Sequence, residues 1–317
     1  MDRFAGEERN GERQMISVVL CTYNGEKYIR EQLESLVRQT RQPDEVLILD
    51  DGSADATVSV CREFIDRHGL DGWQVVRNER NIGWADNFLR GFEMVHGDLI
   101  FPCDQDDIWL EDKIDRMAAA MEGHPEIGLL VCGYIRQIED EKGSRREERA
   151  FSGEITRLPF DSKVIYIDDP GCVYCFTRAF YEAIKGYCFP GYPHDAFLLR
   201  MGKLTQKAFF YDFPGIYWRR HLSNATGKPV RENEEMQRRI GYYIACLEKM
   251  GQWCDDHGGN EEKKELIAEN IAFYRARQKA FANRKLVGKD SLFSCLKYLR
   301  FYQWPKSFIG DAVRLIH

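Results

Sequence analysis

Between residue 15 and about residue 135, short apolar, β-branched runs alternate with segments that have helical spacing. The strand-like runs are 16–21, 46–49, 73–76, 99–101 and 129–132. The segments between them repeat apolar side chains every three or four positions, as at Ile29, Leu33 and Leu36. Strands that alternate with helices of this length are joined by right-handed crossovers and form a mostly parallel sheet. The sequence therefore predicts an α/β sandwich whose central sheet is covered on both faces.

The composition of the chain is that of an ordinary globular protein. Its 317 residues include 45 Lys and Arg against 51 Asp and Glu, a net charge of −6. This balance argues against a dedicated nucleic-acid-binding protein. No apolar stretch reaches the roughly 20 residues that a membrane-spanning helix needs. Residues 1–14 are charged and lack an apolar run, so we expect a flexible tail and not a secretory signal.

The ten cysteines are scattered along the chain, and several of them lie in apolar runs. This distribution favours buried, reduced thiols and a cytoplasmic location. Cys172 and Cys175 alone have the spacing of a metal-ligand pair. Because no second pair accompanies them, we expect core packing there and not a zinc site.

The pattern changes after the fifth strand-like run. Residues 139–148 are charged and predict a solvated loop, and residues 150–229 give only weak strand signals. Helical spacing returns after residue 232, with a break at Gly258 and Gly259. We expect the tail 1–14, an α/β domain over 15–229 with halves 15–110 and 111–229, and a helical region over 230–317.

Polar and acidic residues follow three of the predicted strands. They are Thr22, Tyr23 and Asn24 after the first strand, Asp50 and Asp51 after the second, and Asp104, Asp106 and Asp107 after the fourth. Ligands of parallel α/β sheets bind beyond the carboxyl ends of the strands. Carboxylates gathered there repel one another unless a cation or a donor-rich ligand offsets their charge. Helix capping and turn formation explain one or two of these acids, so the remainder indicate a ligand site.

Asp104 and Asp106 form an Asp-x-Asp pair at one of these strand ends. Two carboxylates at this spacing can hold a hard divalent cation while diphosphate oxygens complete its coordination. The pattern is common on its own. Its place in a strand–helix series is what favours a functional role.

The order of these motifs resembles that of the family 2 glycosyltransferases, which are inverting enzymes with the nucleotide-sugar-binding GT-A fold. The matching stretches are 17–25 (SVVLCTYNG), 48–53 (ILDDGS), 81–83 (NIG) with Asn87, and 104–107 (DQDD). With later matches the resemblance covers residues 15 to about 225. It implies that 15–110 is a nucleotide-binding half and 111–229 an acceptor-binding half of one catalytic domain.

The resemblance also implies roles for individual residues. Asp51 would accept a hydrogen bond from the imide N–H of a pyrimidine base. Asp104 would approach the ribose or the sugar, and Asp106, together with Asp104, would bind Mg²⁺ or Mn²⁺ at the diphosphate. The full set of nucleotide-binding residues expected in this way is Thr22, Tyr23, Asn24, Asp51, Asn81, Asn87 and Asp104.

An inverting transfer needs a base for the acceptor hydroxyl. The family places an acid at the start of a helix after the acceptor region, and Asp195 in the stretch 192–197 (YPHDAF) matches it. The alternative is that Asp195 only caps that helix. His194 is a rival base, because an imidazole titrates near neutral pH.

A basic segment, 218–224 (WRRHLSN), stands where the family often carries a basic-His-x-x-Asn pattern. The resemblance implies that His221 and either Arg219 or Arg220 contact the diphosphate leaving group. Which arginine does so stays open, as does the alternative of a plain surface loop.

Residues 85–88 (ADNF) and 104–109 (DQDDIW) are more similar to the bacterial rhamnosyltransferase-like branch, which builds cell-surface polysaccharide from dTDP-L-rhamnose. A UDP-hexose donor is the alternative, and the acceptor would be a glycan or a lipid-linked saccharide. The chain lacks the Q-x-x-R-W element of processive synthases, so we expect transfer of one or a few sugars. The other functions considered are a nucleotidyltransferase, which would show a Gly-rich phosphate loop, and a non-catalytic carbohydrate-binding or scaffold protein.

The end of the chain has the opposite charge to the rest. Residues 284–317 hold seven Lys or Arg against two Asp, and aromatic residues lie between them. A basic amphipathic segment of this kind is typical of peripheral membrane contact, here at the inner face of the membrane. Packing of the segment on the catalytic domain or on a second subunit is the open alternative.

Overall fold

A computed structural model describes residues 13–140, 143–147, 149–167, 169–221, 233–288, 290–304 and 306–316. Most of the predicted tail 1–14 and the end of the 218–224 segment, including Asn224, lie outside the described residues. Ten described strands form one sheet in the order β3-β2-β1-β4-β9-β6-β10-β5, with β7 beside β6 and β8 beside β10. The strands are β1 Ile16–Thr22, β2 Glu45–Asp50, β3 Trp73–Arg77, β4 Leu99–Asp104, β5 Ile108–Trp109, β6 Leu129–Asp140, β7 Gly143–Glu147, β8 Ile155–Arg157, β9 Tyr174–Thr177 and β10 Ala208–Arg220.

The first half of the sheet is parallel, as the alternating pattern predicts. Strands β3, β2, β1 and β4 pair side by side in the same direction. Their register places Thr22 opposite Asp50 and Cys21 opposite Asp104. The polar residues that follow β1, β2 and β4 therefore meet at one edge of the sheet.

Helices cover this half of the sheet. They are α1 Ile29–Val37, α2 Thr57–His68 and α3 Trp84–Met94, while α4 Lys113–Gly123 lies against β6 and β10. Helix α3 approaches β1 closely at Gly91, where a Cβ atom would overlap Cγ1 of Val19. The fully buried strand residues Val18, Val19 and Leu20 confirm a sheet that is covered on both faces.

The second half of the sheet is mixed. Strand β9 is antiparallel to both of its neighbours, β4 and β6, whereas β6 and β10 are parallel. The register between β6 and β10 shifts around Pro214, since proline cannot donate a ladder hydrogen bond and forces a bulge. This irregularity explains why the sequence pattern over 150–229 gives weak strand signals.

The loop predicted over 139–148 is wrong over most of its length. Strand β6 continues to Asp140, and β7 pairs with it antiparallel, with Gln137 opposite Arg146. All five residues of β7 are exposed. A strand with both faces in solvent needs no apolar alternation, so the sequence of β7 predicts a loop.

Helices in the remainder of the chain follow the sheet. They are α5 Arg178–Ile184, α6 His194–Leu204, α7 Asn233–Asp256, α8 Glu261–Asn283 and α9 Lys306–Ile316, with a 3₁₀ helix at Leu292–Phe301 between the last two. This confirms the helical character of the C-terminal region and the break near Gly258. No helix in the described part of the chain is both long enough and apolar enough to cross a membrane.

The C-terminal helices pack on the α/β part of the chain. The Tyr166 hydroxyl donates to the carbonyl of Phe301 at 3.0 Å, and Nδ2 of Asn270 donates to the carbonyl of Ser162 at 3.1 Å. These bonds link the segment before β9 to α8 and to the end of the 3₁₀ helix. Part of residues 284–317 thus packs on the protein, and its outer face is described below.

Candidate active site

The loops after β1 and β2 are fixed to each other by Asp50. Its buried carboxylate accepts hydrogen bonds from Oγ1 of Thr22 at 3.1 Å and from the backbone N–H groups of Gly52 and Ser53 at 3.1 and 2.9 Å. Thr22 and Asp50 are buried. Asp50 therefore shapes the loop, and the resemblance gave it no role.

The carboxylate of Asp51 is 2% exposed and holds the loop after β3. It accepts from Nδ2 of Asn78 at 2.8 Å and from the backbone N–H groups of Ile82 and Gly83 at 2.8 and 2.9 Å. An ionised carboxylate has about four acceptor positions. These three bonds leave room for about one further donor, such as a base N–H group.

Asn87 and Asn81 differ in their surroundings. Asn87 is buried, accepts from Nδ2 of Asn78 at 2.8 Å and donates to the carbonyl of Leu49 at 2.9 Å. Asn81 is exposed, and its Oδ1 accepts from the backbone N–H of Gly83 at 3.1 Å. Asn87 thus orders the loop from inside, while Asn81 lies on its solvent side.

Tyr23 and Asn24 lie at the open edge of the site. The Tyr23 side chain is 49% exposed, and Asn24 has a positive φ of 48°. Gln105 binds the backbone of Tyr23 twice, accepting from its N–H at 2.9 Å and donating to its carbonyl at 3.1 Å. Gln105 joins the loops after β1 and β4. The sequence does not reveal this role, because the two bonds join residues 82 positions apart.

The acids after β4 form a partly buried cluster. Burial first, and then the charge of Asp106, raise the pKa of Asp104 to about 7. Burial, and then the charges of Asp106 and Asp104, raise the pKa of Asp107 well above its ordinary value. One oxygen of Asp107 accepts from the backbone N–H of Arg219 at 3.0 Å. The other is buried and receives no N–H or hydroxyl donor from the described residues.

One ligand atom each from Asp104, Asp107 and Cys172 lies within 4.8 Å of the others. The two carboxylates of this group are oxygen donors that suit a divalent cation, and the thiol of Cys172 hydrogen-bonds both of them. The sequence predicts Asp104 and Asp106 as ligands, places Asp107 among the acids after the same strand, and predicts core packing for Cys172. The nearness of Cys172 to Asp104 and Asp107 depends on a contact between β4 and the segment before β9, which no local pattern shows.

Lys113 is the one buried lysine of the described residues, and it lies beside this cluster. Its Nζ donates to the carbonyl of Cys172 at 2.7 Å and lies 3.2 Å from the ring centroid of Trp109. Burial lowers the pKa of Lys113, and its charge lowers the pKa of Asp104. The lysine offsets part of the negative charge of the site.

The end of β10 brings His221 to the Asp-x-Asp pair. Nε2 of His221 lies 2.9 Å from Oδ2 of Asp106, and the imidazole stacks on Tyr28 with ring centroids 4.5 Å apart. Arg219 is buried; its guanidinium bonds Glu31 and lies 4.8 Å from the Tyr28 ring centroid. The structure thus places His221 in contact with Asp106, one of the expected metal ligands, and pairs Arg219 with Glu31 of α1.

Arg220 lies over the ring of Trp218, with its guanidinium carbon 4.7 Å from the ring centroid. Trp218 and Arg220 occupy alternate positions of β10, so this contact lies within one strand. The choice between Arg219 and Arg220 as a diphosphate ligand stays a prediction.

Asp195 lies in the first turn of α6. Its Oδ1 accepts from the backbone N–H of Ala196 at 2.6 Å, while Pro193 occupies the N-cap position. Burial raises the pKa of Asp195, and its charge in turn raises the pKa of Asp104. Asp195 is therefore near the acidic cluster and is not the N-cap of its helix.

The surroundings of His194 make its imidazole a weak base. Its ring is buried against Phe88, with centroids 3.9 Å apart, and against Trp84 at 6.0 Å. Burial lowers the pKa of His194 to about 3, so the ring is neutral at physiological pH. Its contacts make it the packing support of the Asp195 turn.

The arrangement of sheet, loops and helices is shared with solved structures. The structure of S. aureus TarS 1-349 in complex with UDP-GlcNAc gives a TM-score of 0.62 at 17% identity, over 95% of this chain and 92% of that one. A mannosyltransferase, PcManGT from Pyrobaculum calidifontis, in complex with GDP-Man and Mn2+, gives a TM-score of 0.54 at 16% identity, over 96% and 86% of the two chains. The chain therefore has the GT-A fold.

Sequence comparison identifies the family. Residues 17–184 match Glycosyl transferase family 2, and the chain belongs to this family. The putative glycosyltransferase EpsH of Bacillus subtilis is 34% identical over 125 residues, 39% of this chain and 35% of that protein. An undecaprenyl-phosphate 4-deoxy-4-formamido-L-arabinose transferase of Edwardsiella ictaluri is 30% identical over 164 residues, 50% and 48% of the two. These matches span about a third to a half of the length of the curated relatives.

Proposed function

We propose that the protein is an inverting glycosyltransferase that moves one sugar from a nucleoside diphosphate donor to a hydroxyl group of an acceptor. The observation that carries the proposal is the contact of His221 with Asp106, beside Asp104, at the edge of the sheet where β1 and β2 also end, with the charge of Asp195 acting on Asp104. Residues 15–110 would bind the donor and residues 111–229 the acceptor.

Asp195 is proposed as the base. Its carboxylate accepts the proton of the acceptor hydroxyl while the acceptor oxygen forms a bond to the anomeric carbon. The bond from that carbon to the diphosphate oxygen breaks on the opposite face, and the electron pair leaves with the nucleoside diphosphate. Burial favours a basic carboxylate at this position, because the charged form is poorly solvated there.

Tyr23, Asn24 and Asp51 are proposed to bind the base and ribose. The exposed Tyr23 ring offers a stacking surface, and Asp51 retains an acceptor position for a base N–H group. Thr22, Asn81 and Asn87 complete the proposed nucleotide site, with Thr22 and Asn87 acting through the loop that they order.

The acidic cluster fits a divalent cation, which we expect to be Mg²⁺ or Mn²⁺. Asp106 and Asp104 are the proposed ligands, and ligand atoms of Asp107 and Cys172 lie within 4.8 Å of that of Asp104. Such a cation supplies Lewis-acid stabilisation of the charge on the leaving diphosphate. His221, at 2.9 Å from Asp106, is placed to hold that carboxylate and to donate to a phosphate oxygen.

For the donor we propose dTDP-L-rhamnose, with a UDP-hexose as the alternative, and for the acceptor a glycan or lipid-linked saccharide of cell-surface polysaccharide synthesis. Support comes from the 85–88 and 104–109 stretches and from the relatives, one of which is named as an undecaprenyl-phosphate sugar transferase. UDP-GlcNAc and GDP-Man are the donors in the two similar structures. A cytoplasmic location, at the inner face of the membrane, agrees with donors of this class.

A thermal-shift panel of UDP, dTDP and GDP, each with and without Mn²⁺, tests the donor site. We expect a pyrimidine diphosphate to raise Tm, and Mn²⁺ to enlarge the rise, because a ligand of the native state stabilises it by mass action. Asp106→Asn should remove the Mn²⁺-dependent part. No response to any nucleotide would refute the donor site.

Replacing the proposed base separates binding from transfer. Asp195→Asn should keep the nucleotide-induced rise in Tm and abolish sugar transfer, since the amide cannot accept the proton. Asp115 provides a matched control, because it is an exposed acid in the first turn of α4. Asp115→Asn should retain full activity, and near-normal turnover by Asp195→Asn would exclude Asp195 as the base.

A further inference from the structure

Exposed apolar side chains are concentrated at the end of the chain. The described residues include nine large hydrophobic side chains that are exposed, of which two, Tyr23 and Trp84, lie near the candidate active site. The other seven all fall within 27 residues and define what we name the C-terminal surface: Val287, Phe293, Leu296, Leu299, Trp304, Ile309 and Val313. An exposed apolar cluster of this size marks an interaction site.

The backbone aligns these side chains into two neighbouring rows. A 3₁₀ helix has three residues per turn, so Phe293 and Leu296 share one face of Leu292–Phe301 before the irregular turn at Tyr298, and Leu299, which follows that turn, is also exposed. In α9, Ile309 and Val313 are one turn apart.

The two rows are joined at their start. The rings of Phe293 and Phe308 pack edge to face with centroids 6.1 Å apart. Ile309 follows Phe308 directly, and Trp304, 56% exposed, stands between the two helices. The rows therefore form one continuous apolar surface.

A buried ion pair holds this surface in place. Nε and Nη2 of Arg277 in α8 donate to the two oxygens of Asp311 in α9 at 2.8 and 2.9 Å, and the Tyr302 hydroxyl donates to the same carboxylate at 3.0 Å. Asp311 is thus buried on one side of α9, while Ile309 and Val313 are exposed on another. The outward direction of the apolar rows is a fixed property of the packing.

Basic side chains border the apolar rows. Lys285, Lys297 and Lys306 are exposed, and a groove of about 320 Å³ between α8 and the 3₁₀ helix is lined by Arg275, Lys279 and Lys297. One acid, Asp290, lies in the groove, 3.6 Å from Nζ of Lys279. Arg275 also pairs with Glu248 at 3.0 Å, so among these five groups the three basic side chains outnumber the acids by one beside the apolar surface.

We propose that the C-terminal surface docks on a bilayer that contains anionic phospholipid. The 3₁₀ helix and α9 would lie in the interface with their apolar rows inserted, and the basic groove would take a lipid phosphate group. A second copy of the chain complements this surface poorly, since it would bring two positively charged borders together. The inference does not depend on the donor or on the transfer reaction.

Vesicle co-sedimentation of the full chain tests this docking. We expect binding to vesicles of phosphatidylcholine with phosphatidylglycerol, weaker binding to phosphatidylcholine alone, and further weakening as salt is raised. The variant Leu296→Gln/Leu299→Gln/Ile309→Gln changes only exposed positions and should reduce binding at least about tenfold. Lys297→Gln/Lys306→Gln should reduce binding to the vesicles that contain phosphatidylglycerol and leave binding to pure phosphatidylcholine vesicles unchanged.

Arg62→Gln/Arg67→Gln is the matched control for charge, because it removes two exposed basic residues from α2. It should bind as the unchanged protein does. Vesicles with brominated acyl chains add a measurement that does not depend on these variants: they should quench Trp304, and Trp304→Phe should remove most of that quenching.

Several results would overturn the proposal. They are absence of binding to either vesicle, equal binding by the triple glutamine variant, and quenching that Trp304→Phe leaves unchanged. Concentration-dependent dimerisation that the triple variant abolishes, without vesicle binding, would assign the surface to a second copy. Competition by millimolar inorganic phosphate that fully releases the protein would assign the groove to a soluble phosphate compound.

Discussion

Replacing Gly171 by alanine tests whether the position of Asp195 controls transfer. Gly171 begins a 3₁₀ turn before β9 and lies against the first turn of α6. A Cβ atom at this position would lie 3.0 Å from Cε1 of His194, closer still to Nε2, and 3.1 Å from Cβ of Asp195. Carbon atoms in ordinary contact are about 3.5–4.0 Å apart, so the His194–Asp195 turn must move by roughly 0.5 Å or more.

The size of the expected effect follows from that displacement. Overpacking of a buried contact costs about 1–3 kcal/mol of stability, and a misplacement of about 1 Å at a reacting group can cost about 100-fold in rate. For Gly171→Ala we expect kcat to fall about 10- to 100-fold. The nucleotide-induced rise in Tm should persist, because the groups nearest to the added Cβ belong to α6 and not to the donor loops after β1 and β2.

Gly241→Ala is the matched control, since a Cβ atom there meets no other group within 4 Å. Gly241 lies inside α7, so alanine should leave transfer unchanged and raise stability by about 0.5–1 kcal/mol. Initial rates of sugar transfer and urea unfolding measure the two effects. Unchanged kcat in Gly171→Ala, with the expected loss of stability, would refute the proposal that this turn positions the base.

Three further predictions concern other parts of the molecule. Because burial raises the pKa of Asp195, kcat/KM should fall with decreasing pH at a pH above the ordinary aspartate value of about 3.9; a profile that stays flat down to about pH 4 would contradict it. Asp311→Asn leaves the charge of Arg277 buried without its partner and should cost about 3–5 kcal/mol in urea unfolding, whereas the exposed Lys279→Gln should cost less than about 1 kcal/mol. Gln105→Ala removes both bonds to the Tyr23 backbone. Expressed as free energies, its effect on nucleotide affinity, measured by calorimetry, should be larger than its effect on the stability of the free protein, measured from Tm. A larger loss of stability than of affinity would make Gln105 a purely structural residue.

The parallel half of the fold was predictable because its signal is local. Strands β1, β2 and β4 are mostly apolar and buried, β3 carries Val75 and Val76 at its centre, and the helices between them repeat apolar residues at helical spacing. In the other half the pattern fails for physical reasons. Pro214 interrupts the ladder of β10, and β7 is exposed on both faces and so carries no apolar period.

The candidate site was predictable where a side chain lies close in sequence to a strand end. Asp104 and Asp106 follow β4 directly, and the parallel register then brings them beside Thr22 and Asp51. Lys113 and Cys172 could not be found in this way, because the bond between them joins segments 59 positions apart. Their role depends on tertiary packing that no local pattern encodes.

The hydrogen bonds of the donor loops also decide which variants are informative. Asp51 and Asn87 each bind Asn78, and Thr22 binds Asp50, so replacing any of them alters a loop as well as a proposed nucleotide contact. Loss of binding in such a variant would not distinguish recognition from loop order. On the acceptor side, the side chain of Asp195 makes a short-range bond to its own helix turn at Ala196. Its replacement leaves the donor loops intact, and that is why the proposed base provides the cleaner test of mechanism.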